Sequence, residues 1–295
     1  MDAKLIDKLW TTILYVISGF VVLLLVALIG YILFKGRNFL SPSFLFGNPK
    51  VGEAGGGIAP MLFNSFYMLI ISLLITIPLG VGAGIYLAEY AKNGPVMNII
   101  RLSIETLSSL PSIVVGLFGL LVFVNMTHWG FTIISGALAI AVLNLPSLTR
   151  VSEDAIRAAA GSVKEASLGL GATAWQTIWR VILPSAMPQI LTGVILASGR
   201  IFGEAAALLY TAGMSAPMLH FDNVSLVDRS SPFSLFRPAE TLAVYIWKLN
   251  AEGMVPDAAD IANKASAVLI TMVLIFNISA RIIGRKIYEA YSGKK

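Results

Sequence analysis

The fold class written into this 295-residue chain is an all-α polytopic membrane protein with six transmembrane helices. Three observations carry that reading. Hydrophobic residues make up 57% of the sequence and charged residues only 13%, where a soluble domain carries roughly 25% charged residues. The apolar residues fall in uncharged runs of about 18 or more, the length that crosses a bilayer as a helix. The runs are continuous rather than alternating, which disfavours the closed barrel, the other structure that satisfies its backbone within lipid.

The spans follow in order. Ile13 to Phe34 carries no charge. It is too long for the apolar core of a secretory signal and ends in YILFKGR, so it reads as a retained first span. The second lies within Ile58 to Ala88 and contains Pro78, Gly80, Gly82 and Gly84, expected to bend or loosen its inner half. No Asp, Glu, Lys or Arg stands between Glu105 and Arg150, and the polar break Asn125 to Gly130 (NMTHWG) divides that stretch into spans three and four. Span five is expected from about Pro188 to Ala212 and span six from about Ala265 to Ile283.

Six spans put both termini on one side. Of the 21 Lys and Arg, thirteen fall in the segments that share the termini's side, seven in the opposite segments, and Arg200 within a span. Positive charge is retained on the cytoplasmic side, so both termini are expected to be cytoplasmic. The net charge of +5 thus reflects loop placement, and no basic cluster suggests nucleic-acid binding.

The inner stretch from residue 152 to 184 is the unusual one. SEDAIRAAAGSVKEASLGL, starting at Ser152, reads as a polar helix with acids in its first turn, ended by Gly169 and Gly171. Thr173 and Gln176 have the spacing of a capping box that starts a second helix. Trp175, Ile178, Trp179 and Ile182 then form one apolar face, and Pro184 is expected to stop the helix. Two short helices at an angle suit an interfacial anchor or a knob for a partner's groove; spacing alone leaves both open.

Two ionisable pairs lie in or beside spans. Arg200 is about 12 residues into span five, roughly 18 Å deep, with Glu204 at i+4. Charge at that depth faces a bundle interior or a wet path. The pair is either a structural lock or a site where a guanidinium fork meets an oxyanion. Arg101 and Glu105 repeat the spacing at the inner end of span three, as a structural pair or an inner gate. In the outer loop from Met214 to Lys264, Leu242, Tyr245, Ile246 and Leu249 share a face, and Trp247 suits an interface, so a short helix on the outer surface is expected.

Several chemistries are missing from the sequence. There is no cysteine, hence no disulfide or thiolate metal site. His128 and His220 are isolated, giving no metal-ligand spacing. No G-x-x-x-x-G-K-[ST] is present, and no nucleophile and base set suggests an enzyme.

Glu165-Ala166, then Gly171, then Leu183-Pro184 resembles the EAA motif of permease subunits of bacterial ABC importers, with Ser167 and Val181 as mild departures. PSIVVGLFG from Pro111, NLPSLTR from Asn144, GRIFGEAAALLYTAG from Gly199 and RPAETLAVYIW from Arg237 are similar to the A-type permease of the phosphate (Pst) importer. The resemblance runs from about Asn64 to the C-terminus. It implies the type I importer (MetI-like) permease fold in a bacterial cytoplasmic membrane. It also implies an N-terminal helix and outer loop over 1–57, a permease domain over 58–288 and a cytoplasmic tail over 289–295. The segment 152–184 would then be the coupling segment that docks a cytoplasmic ATPase. The implied partners are a homologous C-type permease in a heterodimer, two ATPase subunits that hold ATP and Mg, and an external phosphate-binding protein. No cofactor is expected in this chain. Arg200, with Glu204 holding it, would line the path for phosphate. A sulfate or molybdate permease would use the same anion logic, and a secondary transporter would need no ATPase.

Overall fold

A computed structural model describes residues 3–50, 52–92, 94–219, 221–253 and 255–292. His220, Lys294 and Lys295 lie outside the described residues. Among the described residues the helices in chain order are α1 (Ala3–Lys35), α2 (Pro42–Phe46), α3 (Ala59–Tyr90), α4 (Pro95–Ser108), α5 (Ser112–Met126), α6 (Ile133–Gly169), α7 (Ala174–Gly203), α8 (Ala206–Leu209), α9 (Leu242–Glu252) and α10 (Ala258–Ser292). Among the described residues, α1, α3, α6, α7 and α10 are long and apolar enough to cross a membrane, and the bent pair α4 and α5 makes up to a sixth span.

Four boundaries differ from the sequence expectation. Span three is broken: α4 and α5 meet at 102° around Pro111, because the residue before a proline is pushed out of the helical region. Ser152 begins nothing; α6 is one helix from Ile133 to Gly169, roughly 55 Å long. Pro184 stops nothing; α7 runs through it after a π-helical stretch over Ile178–Ile182. Span five ends its regular helix at Gly203, with Glu204 extended, and the chain resumes in the short α8.

The core is three apolar clusters. Phe44, Ile58, Met61, Leu242, Tyr245 and Ile261 form one under the outer loops. Met68, Ile133, Ile140, Phe202 and Leu208 form the central one. Ile156, Ile178, Ile182 and Ile190 form the inner one, packed by Val81 and Ile85. A short helix is present where one was expected, α9, but its apolar face is buried in the bundle, while Trp247 stays exposed.

The parallel pair α3 and α6 is the spine. A side chain at Gly136 would meet Met68, one at Gly80 would meet Leu148 at 3.0 Å, and one at Gly84 would meet Ser152 at 2.5 Å. Each contact joins residue n to residue n+68, so the register is constant for more than four turns. The glycines of α3 therefore admit a neighbouring helix, the small-residue logic of membrane helix pairs. The helix α1 stands apart: none of its residues is buried, and among the helices it touches only α10.

Candidate functional site

The break after α7 places the first candidate residues. Arg200 lies one turn before it and is exposed on the helix surface. Glu204 is buried in the break itself, and its Oε1 accepts the Ala207 N–H at 3.1 Å, capping α8. The two therefore do not share a helical face, which corrects the i, i+4 expectation: the helix ends between them. Arg200 has no ion-pair partner among the described residues. Unwound backbone inside a membrane is tolerated where it is buried in protein or lines a cavity, and discontinuous helices mark the sites of many transporters. Asn277 of α10, with a buried and unpartnered Oδ1, faces Gly199 beside the break.

The second candidate is the inner tip. Gly171 adopts φ +85°, with the Gly171 N–H donated to Leu168 O, so a turn does follow α6 where the glycines suggested. Both halves of the capping box form: Thr173 Oγ1 accepts from Gln176 N and Gln176 Oε1 accepts from Thr173 N. Ser167, the departure from the E-A-A pattern, hydrogen-bonds Thr177 across the turn at 2.9 Å. Glu165, Ala166 and Gly171 are brought together on the exposed tip, while Leu183 and Pro184 sit half-buried farther along α7. The expected four-residue apolar face divides. Ile178 and Ile182 are buried in the inner cluster, whereas Trp175 and Trp179 are exposed and pack on each other at 5.3 Å. Beside them Leu170 is 90% exposed.

The third candidate is rearranged. Arg101 and Glu105 do not pair with each other; each reaches across to α6. Arg101 Nη2 lies 2.6 Å from Glu153 Oε1, and Arg150 Nη1 lies 2.8 Å from Glu105 Oε1. Glu153 is 5% exposed and also takes Arg157 Nη2 at 3.0 Å. Sequence reasoning missed Arg150, Glu153 and Arg157, although their spacing sets three charges on one side of a helix.

A buried polar cluster on the outer side was missed as well. Arg237 is 1% exposed and donates to Pro232 O, Pro238 O and Asn64 Oδ1, at 2.8, 3.1 and 2.8 Å. The Asn64 amide donates onward to Glu240 O. Burial pulls the Arg237 guanidinium down to about 10, still charged at neutral pH. Burial likewise pushes the Glu240 carboxyl up to about 7, against the opposing pull of Lys248 Nζ 3.3 Å away. Glu240 and Lys248 line an outer cavity of about 360 Å³ with Met61, Met214 and Tyr245. Among the described residues no group of three His, Cys, Asp or Glu could hold a metal ion.

Residues 80–289 match the family described as the binding-protein-dependent transport system inner membrane component. A probable ABC transporter permease protein, YqgI of Bacillus subtilis (strain 168), is 54% identical over 289 residues, 98% of each chain. The phosphate transport system permease protein PstA of Pasteurella multocida (strain Pm70) is 31% identical over 95% of this chain and 94% of its own. That of Yersinia pestis is 37% identical over 81% and 76%. Among solved structures, a bacterial ABC transporter involved in the import of the acidic polysaccharide alginate is similar over 97% of both chains, at TM-score 0.59 and 17% identity. An inward-facing MetNI methionine ABC transporter is similar over 78% of this chain and 94% of its own, at TM-score 0.56 and 17% identity. These two likenesses establish the fold.

Proposed function

This chain belongs to the binding-protein-dependent transport system inner membrane components, the permease subunits of ABC importers, and from that premise we propose that the solute it passes is inorganic phosphate. The observation that carries the reading is Arg200: an exposed guanidinium in a span, one turn before a broken helix, with no carboxylate paired to it among the described residues. A guanidinium presents paired donors that match two oxygens of a tetrahedral oxyanion. The relatives named PstA support phosphate among such anions.

In this reading solute enters from an external binding protein and passes Arg200. Glu204, engaged with the Ala207 N–H, keeps negative charge beside the path without quenching the arginine, so the anion is attracted but not trapped. A conducting site must release what it binds. The exposed tip around Glu165, Ala166 and Gly171 docks the cytoplasmic ATPase, which holds ATP and Mg. Leu183 and Pro184 fix the second arm of the tip to the inner core. Both termini are cytoplasmic, and the second permease of the complex is a homologous C-type subunit.

The test is uptake into proteoliposomes that hold the complete complex, with radiolabelled phosphate and sulfate offered separately. Phosphate uptake that depends on ATP, and that Arg200→Gln abolishes without loss of assembly, supports the reading. Equal uptake of sulfate, or normal uptake by Arg200→Gln, contradicts it.

A further inference from the structure

The inner ends of three helices are joined by charge rather than by apolar packing alone. Glu153 of α6 is buried and receives Arg101 of α4 and Arg157 one turn along its own helix. Two guanidiniums offset the desolvation of a buried carboxylate better than one. Arg157 also donates to Leu87 O of α3 at 3.1 Å, and Lys164 Nζ lies 2.6 Å from Glu89, again on α3. Arg150 adds the bond to Glu105 of α4. Among the described residues, α6 is the helix that α4 packs against. Every one of these links lies inward of the same level. By the n+68 register, Pro78 of α3 stands level with Pro146 of α6, and both are inside their helices. Each proline removes one backbone bond, to the carbonyl of Leu74 and of Val142. Two adjacent parallel helices are thus weakened at one depth, and kinks and bends occur at such points.

We propose that Glu153 is a positioning residue. It binds the last turns of α3, all of α4 and the inner half of α6 into one moving body, hinged on the outer body at Pro78 and Pro146. That inner half of α6 ends at the tip, so a displacement of the tip is delivered to the elbow between α4 and α5. The proposal rests on the reading of the tip as the ATPase dock.

The chain has no cysteine, so Glu105→Cys with Arg150→Cys can be bridged at one place by a short bifunctional thiol reagent. In the reconstituted complex, bridged and unbridged samples should take up phosphate within about twofold of each other, because α4 and α6 travel together. A tenfold or greater loss on bridging, with ATP hydrolysis retained, would show that they must part and would overturn the proposal. Glu153→Gln should lower phosphate moved per ATP by about tenfold, the scale of losses along a coupling network. The covalent bridge should restore that ratio in the Glu153→Gln background, whereas a residue needed only for folding would not be rescued by it. No rescue refutes the role of Glu153. If Glu153→Gln does not assemble, the bridge in the otherwise native chain still decides. If instead the tip meets no ATPase, Gly171→Val transports normally, a result separate from whether α4 and α6 move together.

Discussion

Arg200 was visible in the sequence because an arginine in an apolar run has few explanations. Its relation to Glu204 was not, because a lone glycine such as Gly203 is tolerated inside a helix as often as it ends one, and here tertiary packing decides. The break changes what substitution should do. Glu204→Gln keeps an acceptor for the Ala207 N–H and should assemble normally. Glu204→Ala leaves that buried donor unpaired at about 1–3 kcal/mol, read as a lower melting temperature of the purified complex. Arg200→Gln with Glu204→Gln should assemble normally and still fail to import phosphate; recovered uptake would remove Arg200 from the path. Glu240 gives a pH test. An unfolded glutamate titrates near 4.5 and the folded one at about 7. Between those values the folded chain holds a proton that the unfolded chain has released, so this group's contribution to stability falls as pH rises through that window and is level above it. Glu240→Gln should therefore flatten the dependence of melting temperature on pH between 5 and 7, and an unchanged slope would contradict the assignment. Arg237→Ala removes donors from two buried acceptors and one part-buried one and should cost about 2 kcal/mol or more, seen as loss of assembled protein from the membrane.

At the scale of elements, the local signals of the turn after α6 read correctly, while two helix boundaries and the long-range pairings did not. The capping box at Thr173 and the positive φ at Gly171 depend on neighbours within a few residues. Gly171→Val has open space for its side chain, so any effect comes from backbone strain of about 1–2 kcal/mol in a left-handed conformation. ATP hydrolysis should continue while uptake falls. Gly171→Asn should transport normally, because asparagine accepts that conformation; equal loss in both would place the effect elsewhere. The misread boundaries have physical reasons too. Polar residues after Val151 change the surroundings of α6, not its backbone, so the helix continues through Ser152. Pro184 follows a π-helical stretch whose hydrogen bonds are shifted by one residue, so the missing N–H deletes less than it would in a regular helix. The α4 partner of Glu153 stands 52 positions away at Arg101, and no periodicity within one segment reports such a pairing.

For the whole molecule, hydropathy was sufficient for the helical class and for five to six candidate crossings, because the bilayer leaves few alternatives. It could not show that one crossing is bent through 102° or that the α3 and α6 register levels two prolines. Among the described residues, Arg200 is the one cation at the break without an ion-pair partner. Isolated permease should therefore show no saturable phosphate binding below about millimolar concentration, a range where binding free energy is about 4 kcal/mol; micromolar binding in equilibrium dialysis would contradict this.

The unburied first helix has a mechanical consequence. At 33 residues α1 is roughly 50 Å long. It is fastened near its C-terminal end, where Gly36 fits against Asn263 so closely that a Cβ would lie 2.5 Å from the carbonyl oxygen. A rod held at one tip amplifies angle into distance: a tilt of about 5° about that clamp sweeps the far end sideways by roughly 4 Å. The lateral footprint of the protein at that end is thus set by an arm that the core holds only near Gly36. Labels attached near Leu5 and near Tyr31 should report this as broad N-terminal and narrow C-terminal distance distributions to a common reference on α10. Equal widths at the two ends would show that the arm is held along its whole length.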